Sequence, residues 1–518
     1  MTAAPSHWPV KEPLLAVDEI QGDVLAGLGK RFETLVFLAS GRLSQFKRWL
    51  RDLVPQITTT AEVLAAKRVP RSRRPGNDRR VSPIVWINLA FSWQSLRRLA
   101  ADHDLFTDRA FREGLARRSA LLGDPQEDIS EGSPRRWLVG GPGNEADAVL
   151  IVAGDDRRTV GRVVADLEHR LRNAGGGHVL FVETGARFSG RVAGNEHFGF
   201  RDEVSQPGVR GLVSAIPPKP LTPRYDASDP AHGKPGEILV WPGEFVFGYP
   251  GQNSQGSLCV PGPDPLHRSA PSWARHGSFL VVRRLRQNVY AFHRFVNESA
   301  RRLAIPPALL AAQLIGRWTS GVSLVRSAAD GGNQRPNERL LDSFVYQGSC
   351  EVVEGDRRRP LPADAAGTRC PVSAHIRRMH PRDIRSREGN TFPNPSDTQT
   401  HRLLRRGIPY GRSSRSTPEA PIEDCIDRGL LFLCYQTSIE NQFEFVVRRW
   451  ANEPNFPEPL SGHDPIIGQN SRSLCRQRTF RVASGGGCTL TTALEWVVPT
   501  GGGYFFSPSV GALWMLCS

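Results

Sequence analysis

Two stretches of the chain place strands and helices in similar order, and this order constrains the fold more than any other feature. ETLVFLAS (33–40) is a short run rich in apolar residues and reads as a buried strand; RLSQFKRWLRDLV (42–54) is amphipathic. SPIVWINLAF (82–91) reads as a strand and SWQSLRRLAADHDLF (92–106) as a helix. The strand DAVLIVAG (147–154), the helix RRTVGRVVADLEHRLRNAG (157–175) and the strand HVLFVETG (178–185) follow. Strand–helix–strand taken twice is the split βαβ order of a ferredoxin-like unit. A dinucleotide fold is disfavoured, because no Gly-rich phosphate loop follows the first strand.

The second half returns to the same α+β logic with large insertions. GSFLVVRRL (277–285) reads as a strand, RQNVYAFHRFVNESARRLA (286–304) as a helix, and PPALLAAQLIGRW (306–318) as a second helix started by proline. GLLFLCYQ (429–436) reads as a strand, ENQFEFVVRRWAN (440–452) as a helix, and EWVVPTGGGYFFSP (495–508) as a terminal strand pair or hairpin. Between the halves, PPKPLTP, DPAHGKPGE and VPGPDPLHRSAP are dense in proline and glycine and read as an irregular connection. The expected organisation is an N-terminal unit over 18–215, a connection over 216–275 and a C-terminal unit over 276–518. A chain of 518 residues exceeds what one hydrophobic core usually serves, in keeping with two units.

The formal charge of +15 raises the question of nucleic acid. Only six of the 67 basic residues are lysine, and the arginines are spread along nearly the whole chain. The densest spot, Arg71-Ser72-Arg73-Arg74, lies in a loop-like stretch, and no module with a basic stripe and groove-entering elements is visible. A solvated basic surface is the reading, with no nucleic-acid partner. No run of 18 apolar residues exists, so no membrane span is expected. The eight cysteines all lie in the second half without a CxxC pair. Together with an N-terminus that lacks a secretory pattern, they point to free thiols in a reducing cytoplasm.

Three segments could carry chemistry. In Gly199-Phe200-Arg201-Asp202-Glu203-Val204-Ser205-Gln206-Pro207, Asp202 is either a partly buried acid or a turn-forming residue before a proline loop. In Cys370-Pro371-Val372-Ser373-Ala374-His375-Ile376-Arg377-Arg378-Met379-His380-Pro381-Arg382, a lone histidine would ordinarily be structural. Here arginines stand close behind it. Haem needs an imidazole for its iron and cations for its two propionates, although another anionic ligand would also suit the cluster. In His401-Arg402-Leu403-Leu404-Arg405-Arg406-Gly407-Ile408-Pro409-Tyr410-Gly411, one guanidinium could sit in a pocket; surface charge is the alternative.

These segments, in this order, resemble the dye-decolourising (DyP-type) haem peroxidases. The likeness also takes in IQGDVLAGLGK, FGFRDEVSQPGVRG, GEFVFGYPGQ, GSFLVVRRLRQ, CPVSAHIRRMHPR and LLRRGIPYG. It continues through RGLLFLCY, QFEFVVRRW, GHDPIIG and GGGYFFSPSVGALW, covering the chain from about residue 18 to the end. The resemblance implies an α+β fold of two ferredoxin-like domains, the dimeric α+β barrel architecture, with antiparallel sheets and peripheral helices. It implies one haem b per chain, with His375 as the axial ligand and Asp464 as the acidic partner of its imidazole. Asp202 is then the acid–base group for peroxide and Arg405 the distal cation. Arg382 would bind a propionate with help from Arg377, and Leu430 and Phe432 would line the distal cavity. Hydrogen peroxide and an organic electron donor such as a dye or phenol are the implied partners, and homo-oligomers are compatible with the family.

One position departs from the family. Where its motif has a second glycine, this chain has Glu203. Either the loop takes another path or a second carboxylate stands near the distal pocket, where it would blunt Asp202. The runner-up reading is therefore a haem carrier or sensor without turnover, and a third is a site for an anionic ligand other than haem.

Overall fold

The computed structural model describes residues 12–68, 84–212, 222, 231–233, 237–254, 258–329, 340–348, 351–354, 357–384, 395–471, 473 and 475–518. The arginine-rich loop at 71–74, most of the connection between 213 and 236, and Cys350 lie outside the described residues.

The first half supplies strand β1 (Phe32–Ser40), helix α1 (Leu43–Leu53), strands β2 (Trp86–Phe91) and β3 (Ala148–Gly154), helix α2 (Arg157–Asn173) and strand β4 (Gly177–Ala186). All neighbours pair antiparallel in the order β4-β1-β3-β2. The second half supplies β5 (Ser278–Gln287) and helices α3 (Val289–Leu303), α4 (Pro307–Ile315) and α5 (His375–Met379). Short strands β6 (Leu404–Arg405) and β7 (Ile408–Tyr410) follow, then β8 (Gly429–Gln436) and β9 (Val497–Ser507). Here β9 pairs β5, β5 pairs β8, and β8 pairs both β6 and β7. With β6 and β7 taken as one interrupted strand, the two halves share the same strand order.

The two four-stranded units close on each other at Tyr410↔Gly185 and Phe506↔Phe91, so the sheet forms a barrel. Strands β1, β2, β3, β5 and β9 are buried on both faces along most of their length, which is why they read as largely continuous apolar runs rather than as alternating ones. Leu35 and Phe37 join Ile151, Leu280, Leu433 and Phe505 in the interior cluster. Val36 and Leu38, one residue out of phase, pack with Trp49, Leu50 and Leu53 of α1 and Leu167 and Leu171 of α2. Each such side chain contributes roughly 1.5–3 kcal/mol by leaving water. Asp156 caps α2 by accepting the Thr159 N–H, and Asn288 caps α3 through the Ala291 N–H.

Four details differ from the sequence reading. The terminal segment is one strand, β9, with a register shift between Pro499 and Gly501, rather than a hairpin. The helix after β2 stops at Leu99 and resumes as a 3₁₀ turn at His103–Leu105. The helix expected over 440–452 is wound as two π-helical runs, Ile439–Glu444 and Val446–Ala451. Strands β6 and β7 were not anticipated, because Gly407 and Pro409 obscure the alternation. Among the described residues, no helix is long and apolar enough to cross a membrane.

Candidate functional site

Leu431 and Leu433 of β8 point into the barrel, so Leu430 and Phe432 must point out of it. They line a cavity of about 310 Å³ on the outer face of the second sheet. Arg283 and Leu285 of β5 and Val497 and Pro499 of β9 belong to the same outer face and line the same cavity. The π-helical runs cover it with Phe443, Val446 and Val447, helix α5 brings His375, and the segment after β4 brings Asp202 to Ser205.

Helix α5 is five residues long and is held by its neighbours. Gly316, in the left-handed region at φ 96° just after α4, allows close docking; a Cβ there would lie 2.4 Å from Ile376. Arg378 is fully buried and donates to the carbonyls of Trp450, Glu453 and Phe456, tying α5 to the end of the π-helical segment. His375 Nδ1 lies 2.9 Å from Asp464 Oδ2, while Asp464 Oδ1 accepts the N–H groups of Ile466 and Ile467 at 2.8 Å each. Burial works to raise the pKa of Asp464; His375, those backbone bonds and Arg378 prevail and hold it below the usual carboxylate range. Nδ1–H is thus committed to a carboxylate, and Nε2 is the nitrogen available to the cavity.

Across the cavity, Arg405 follows Leu404, whose side chain is in the barrel interior, so Arg405 faces outward. Its guanidinium donates to Ser205 O at 2.9 Å and to Asp202 Oδ1 at 3.3 Å. Asp202 Oδ1 also accepts the Glu203 N–H at 2.7 Å. Gln206 fixes the backbone of Arg405 from the other side, accepting its N–H and donating to its carbonyl. The structure therefore brings His375, Asp202, Arg405, Leu430, Phe432 and Arg382 to one cavity, with Asp464 behind the histidine.

Arg377 is placed elsewhere. Its guanidinium donates to the carbonyls of Asp364, Ala365 and Cys370 and stacks over Tyr346, and it is not among the residues that line the cavity. Its closeness to His375 in sequence misleads, because a step of two residues along a helix is a turn of about 200°, which points its guanidinium away from the imidazole.

Glu203 has a φ of 58°, in the left-handed region that favours glycine, so the loop takes there a path that a glycine would take without strain. Its carboxylate takes a bidentate pair of hydrogen bonds from Arg187, at 2.9 Å each.

Several cavity residues escaped the sequence reading. Arg317 joins the expected Arg382 on the carboxylate of Asp342, which also accepts from Ser205. Arg402 is buried, and its guanidinium donates to two neutral groups, His380 Nε2 and Gln399 Oε1. Burial lowers its pKa to about 9. Glu196 accepts the N–H groups of Phe198 and Phe200 and the amide of Gln287, and burial pushes its pKa up to about 7. His380 and Arg402 lay inside segments already singled out; Arg317 and Glu196 carried no signal of their own.

Comparison with known proteins agrees with this geometry. The DyP dimeric alpha+beta barrel domain matches residues 19–182, and the Dyp-type peroxidase C-terminal domain matches residues 363–462. A dye-decolorizing peroxidase of Mycetinis scorodonius is 30% identical over 96% of this chain and 87% of its own length. The structure of an ancestral D-type dye-decolorizing peroxidase superposes with a TM-score of 0.76 at 32% identity, covering 97% of this chain and 99% of that one. A dye-decolorizing peroxidase solved in complex with 2,6-dimethoxyphenol superposes with a TM-score of 0.74 at 27% identity, covering 98% of this chain and all of the other. With matches of this extent across both halves of the barrel, the chain belongs to the dye-decolourising peroxidase family of oxidoreductases.

Proposed function

We propose that the cavity holds one haem b per chain and that the protein reduces hydrogen peroxide while oxidising an organic donor, such as a phenol or dye, in one-electron steps. The observation that carries this reading is the His375–Asp464 pair. It leaves a single imidazole nitrogen, Nε2, facing a largely apolar cavity whose other wall bears Arg405 and Asp202. The donor set suits haem. His375 would be the iron ligand, Leu430, Phe432 and Phe443 would meet the macrocycle, and the buried cations Arg382, Arg317 and Arg402 would meet propionates. When bound, haem supplies the redox centre for the balance H₂O₂ + 2 AH → 2 H₂O + 2 A•, where AH is the donor.

The protein's own part is proton handling and charge. Asp202 takes a proton from one peroxide oxygen and returns it to the oxygen that leaves as water. Arg405, held by Ser205 and Asp202, faces the same space with a fixed positive charge that favours the anionic form. Asp464 keeps the imidazole of His375 strongly donating. The engagement of Glu203 with Arg187, which draws its carboxylate away from Asp202, supports turnover over a carrier role. Six of the described cysteines, Cys370, Cys425, Cys434, Cys475, Cys488 and Cys517, are free thiols, in keeping with a reducing compartment such as the cytoplasm.

The test is haem uptake by absorbance together with peroxide-dependent oxidation of 2,6-dimethoxyphenol. The wild type is expected to develop a Soret band and oxidise the phenol, and His375→Ala is expected to lose the band. A band unchanged in His375→Ala would refute the ligand assignment.

A further inference from the structure

Arg187 immediately follows β4 and is tied to the end of the barrel. Its N–H donates to Arg31 O at 2.9 Å and its Nε–H to Lys30 O at 3.1 Å. The guanidinium is thus fixed to the scaffold before it meets Glu203. The fork it offers is matched oxygen for oxygen, Nη1 to Oε2 and Nη2 to Oε1. At the other end of the same residue, the Glu203 N–H donates to Asp202 Oδ1, the oxygen that also accepts from Arg405. Glu203 lines the cavity beside Asp202 and adopts a left-handed backbone that a residue with a Cβ rarely takes. Two observations therefore need one explanation: why the strained turn persists without glycine, and why a second carboxylate beside Asp202 is tolerated.

We propose that the Arg187–Glu203 pair is a clamp that positions Asp202. By neutralising the second carboxylate and holding the turn, it lets Asp202 and Arg405 meet an incoming peroxide or small anion as one acid and one cation. This inference rests on the peroxidase reading of the cavity. Glu203 and Arg187 are positioning residues and touch no reacting atom. Three consequences are linked. Removing Arg187 frees a negative charge next to Asp202 and opposes anions. Removing the charge of Glu203 leaves Arg187 unpaired and favours them. Removing both returns the balance.

The experiment is fluoride titration of the haem-loaded protein at fixed pH and ionic strength, followed by absorbance. Arg187→Met is expected to weaken fluoride binding about fivefold, and Glu203→Gln to strengthen it about threefold, as one uncompensated charge near the site would do. The double variant Arg187→Met with Glu203→Gln is expected to return to within about twofold of the wild type. A merely structural role would weaken binding in all three, and that result would overturn the proposal. Should Arg187→Met fail to fold, Glu203→Gln decides alone: unchanged or weaker fluoride binding overturns the clamp. Thermal unfolding of the haem-free protein supplies a second arm. Non-additive midpoint shifts of Arg187→Met and Glu203→Gln are expected, and additive shifts overturn the clamp. A wild type that takes up no haem would refute the peroxidase reading, while this thermal cycle would still decide the pair.

Discussion

Replacing Asp464 by asparagine changes one atom and reverses the logic of the histidine side of the site. In the folded protein Asp464 accepts three hydrogen bonds, two at Oδ1 from Ile466 and Ile467 and one at Oδ2 from His375 Nδ1. Asparagine keeps an acceptor for the two backbone donors, which fixes the amide so that its nitrogen faces His375. Two donors then confront each other in a buried site. The imidazole resolves this by taking the other tautomer, with Nδ1 accepting and Nε2 protonated, and a protonated Nε2 has no lone pair for a metal. A charge-assisted hydrogen bond is worth about 1.5–3 kcal/mol. At about 1.4 kcal/mol per factor of ten, Asp464→Asn should weaken haem binding by roughly ten- to a hundredfold, the range expected when the outer partner of a metal-ligating histidine is lost.

The assay is titration of haem into the haem-free protein, read by Soret absorbance, beside an unfolding midpoint. Asp464→Ala serves as the contrast, because it strands the Ile466 and Ile467 N–H groups and should destabilise the haem-free protein more than Asn does. The pH dependence has a definite sign. A carboxylate whose folded pKa is depressed stabilises the protein above its unfolded pKa, and this contribution is lost as pH falls through the folded value. The acid limb of the stability curve should therefore be shallower in Asp464→Asn. Haem affinity within twofold of the wild type, with the same spectrum, would refute the tautomer argument.

The remaining predictions concern the opposite wall. Arg405→Leu should retain haem, because among the described residues the guanidinium donates to Ser205 O and Asp202, across the cavity from His375, yet lose the peroxide reaction by about a hundredfold or more. Rapid mixing with peroxide reads this directly, and full reactivity would remove Arg405 from the mechanism. Glu196 carries the opposite pH sign from Asp464. Its pKa is raised to about 7, so the folded state holds a proton that the unfolded state releases, and stability falls as pH rises from its unfolded value towards 7. Glu196→Gln should flatten that decline in unfolding midpoints across pH 5–7, whatever its effect on absolute stability; an unchanged slope would refute the assignment.

How much of this was legible in the sequence follows from the range over which each feature acts. The barrel strands were readable because burial on both faces leaves uninterrupted apolar runs, as in ETLVFLAS and DAVLIVAG. The interrupted strand formed by β6 and β7 was not. Its two pieces contribute only two and three residues, and their partners in β8 lie 19 to 31 residues further along the chain. His375, Asp202 and Arg405 stood in segments with unusual local composition, so resemblance could single them out. Arg317 and Asp342 were invisible because their meaning lies in a contact between them, 25 positions apart, and in the company of Arg382. Arg377 shows the converse error, in which neighbourhood in sequence suggested a shared ligand that the helical turn rules out.

The placement of the cavity follows from the difference between two halves that share one strand order. In the first half, α1 and α2 pack directly on the outer face of the sheet through Trp49, Leu50, Leu53, Leu167 and Leu171, and no comparable space remains there among the described residues. In the second half, α3 packs with α4 through Phe292, Val296, Leu310 and Leu314 in a separate cluster that also takes in Phe480 and Trp496. The outer face of β5, β8 and β9 is therefore left to the π-helical segment and to α5. The interruption between β6 and β7 then has a purpose in the architecture. Arg406 turns its guanidinium to the carbonyls of Asp23, Val24 and Leu25, and Arg405 remains free to face the cavity. An uninterrupted apolar strand would pack the sheet more completely, but it would leave the face opposite His375 without a cation.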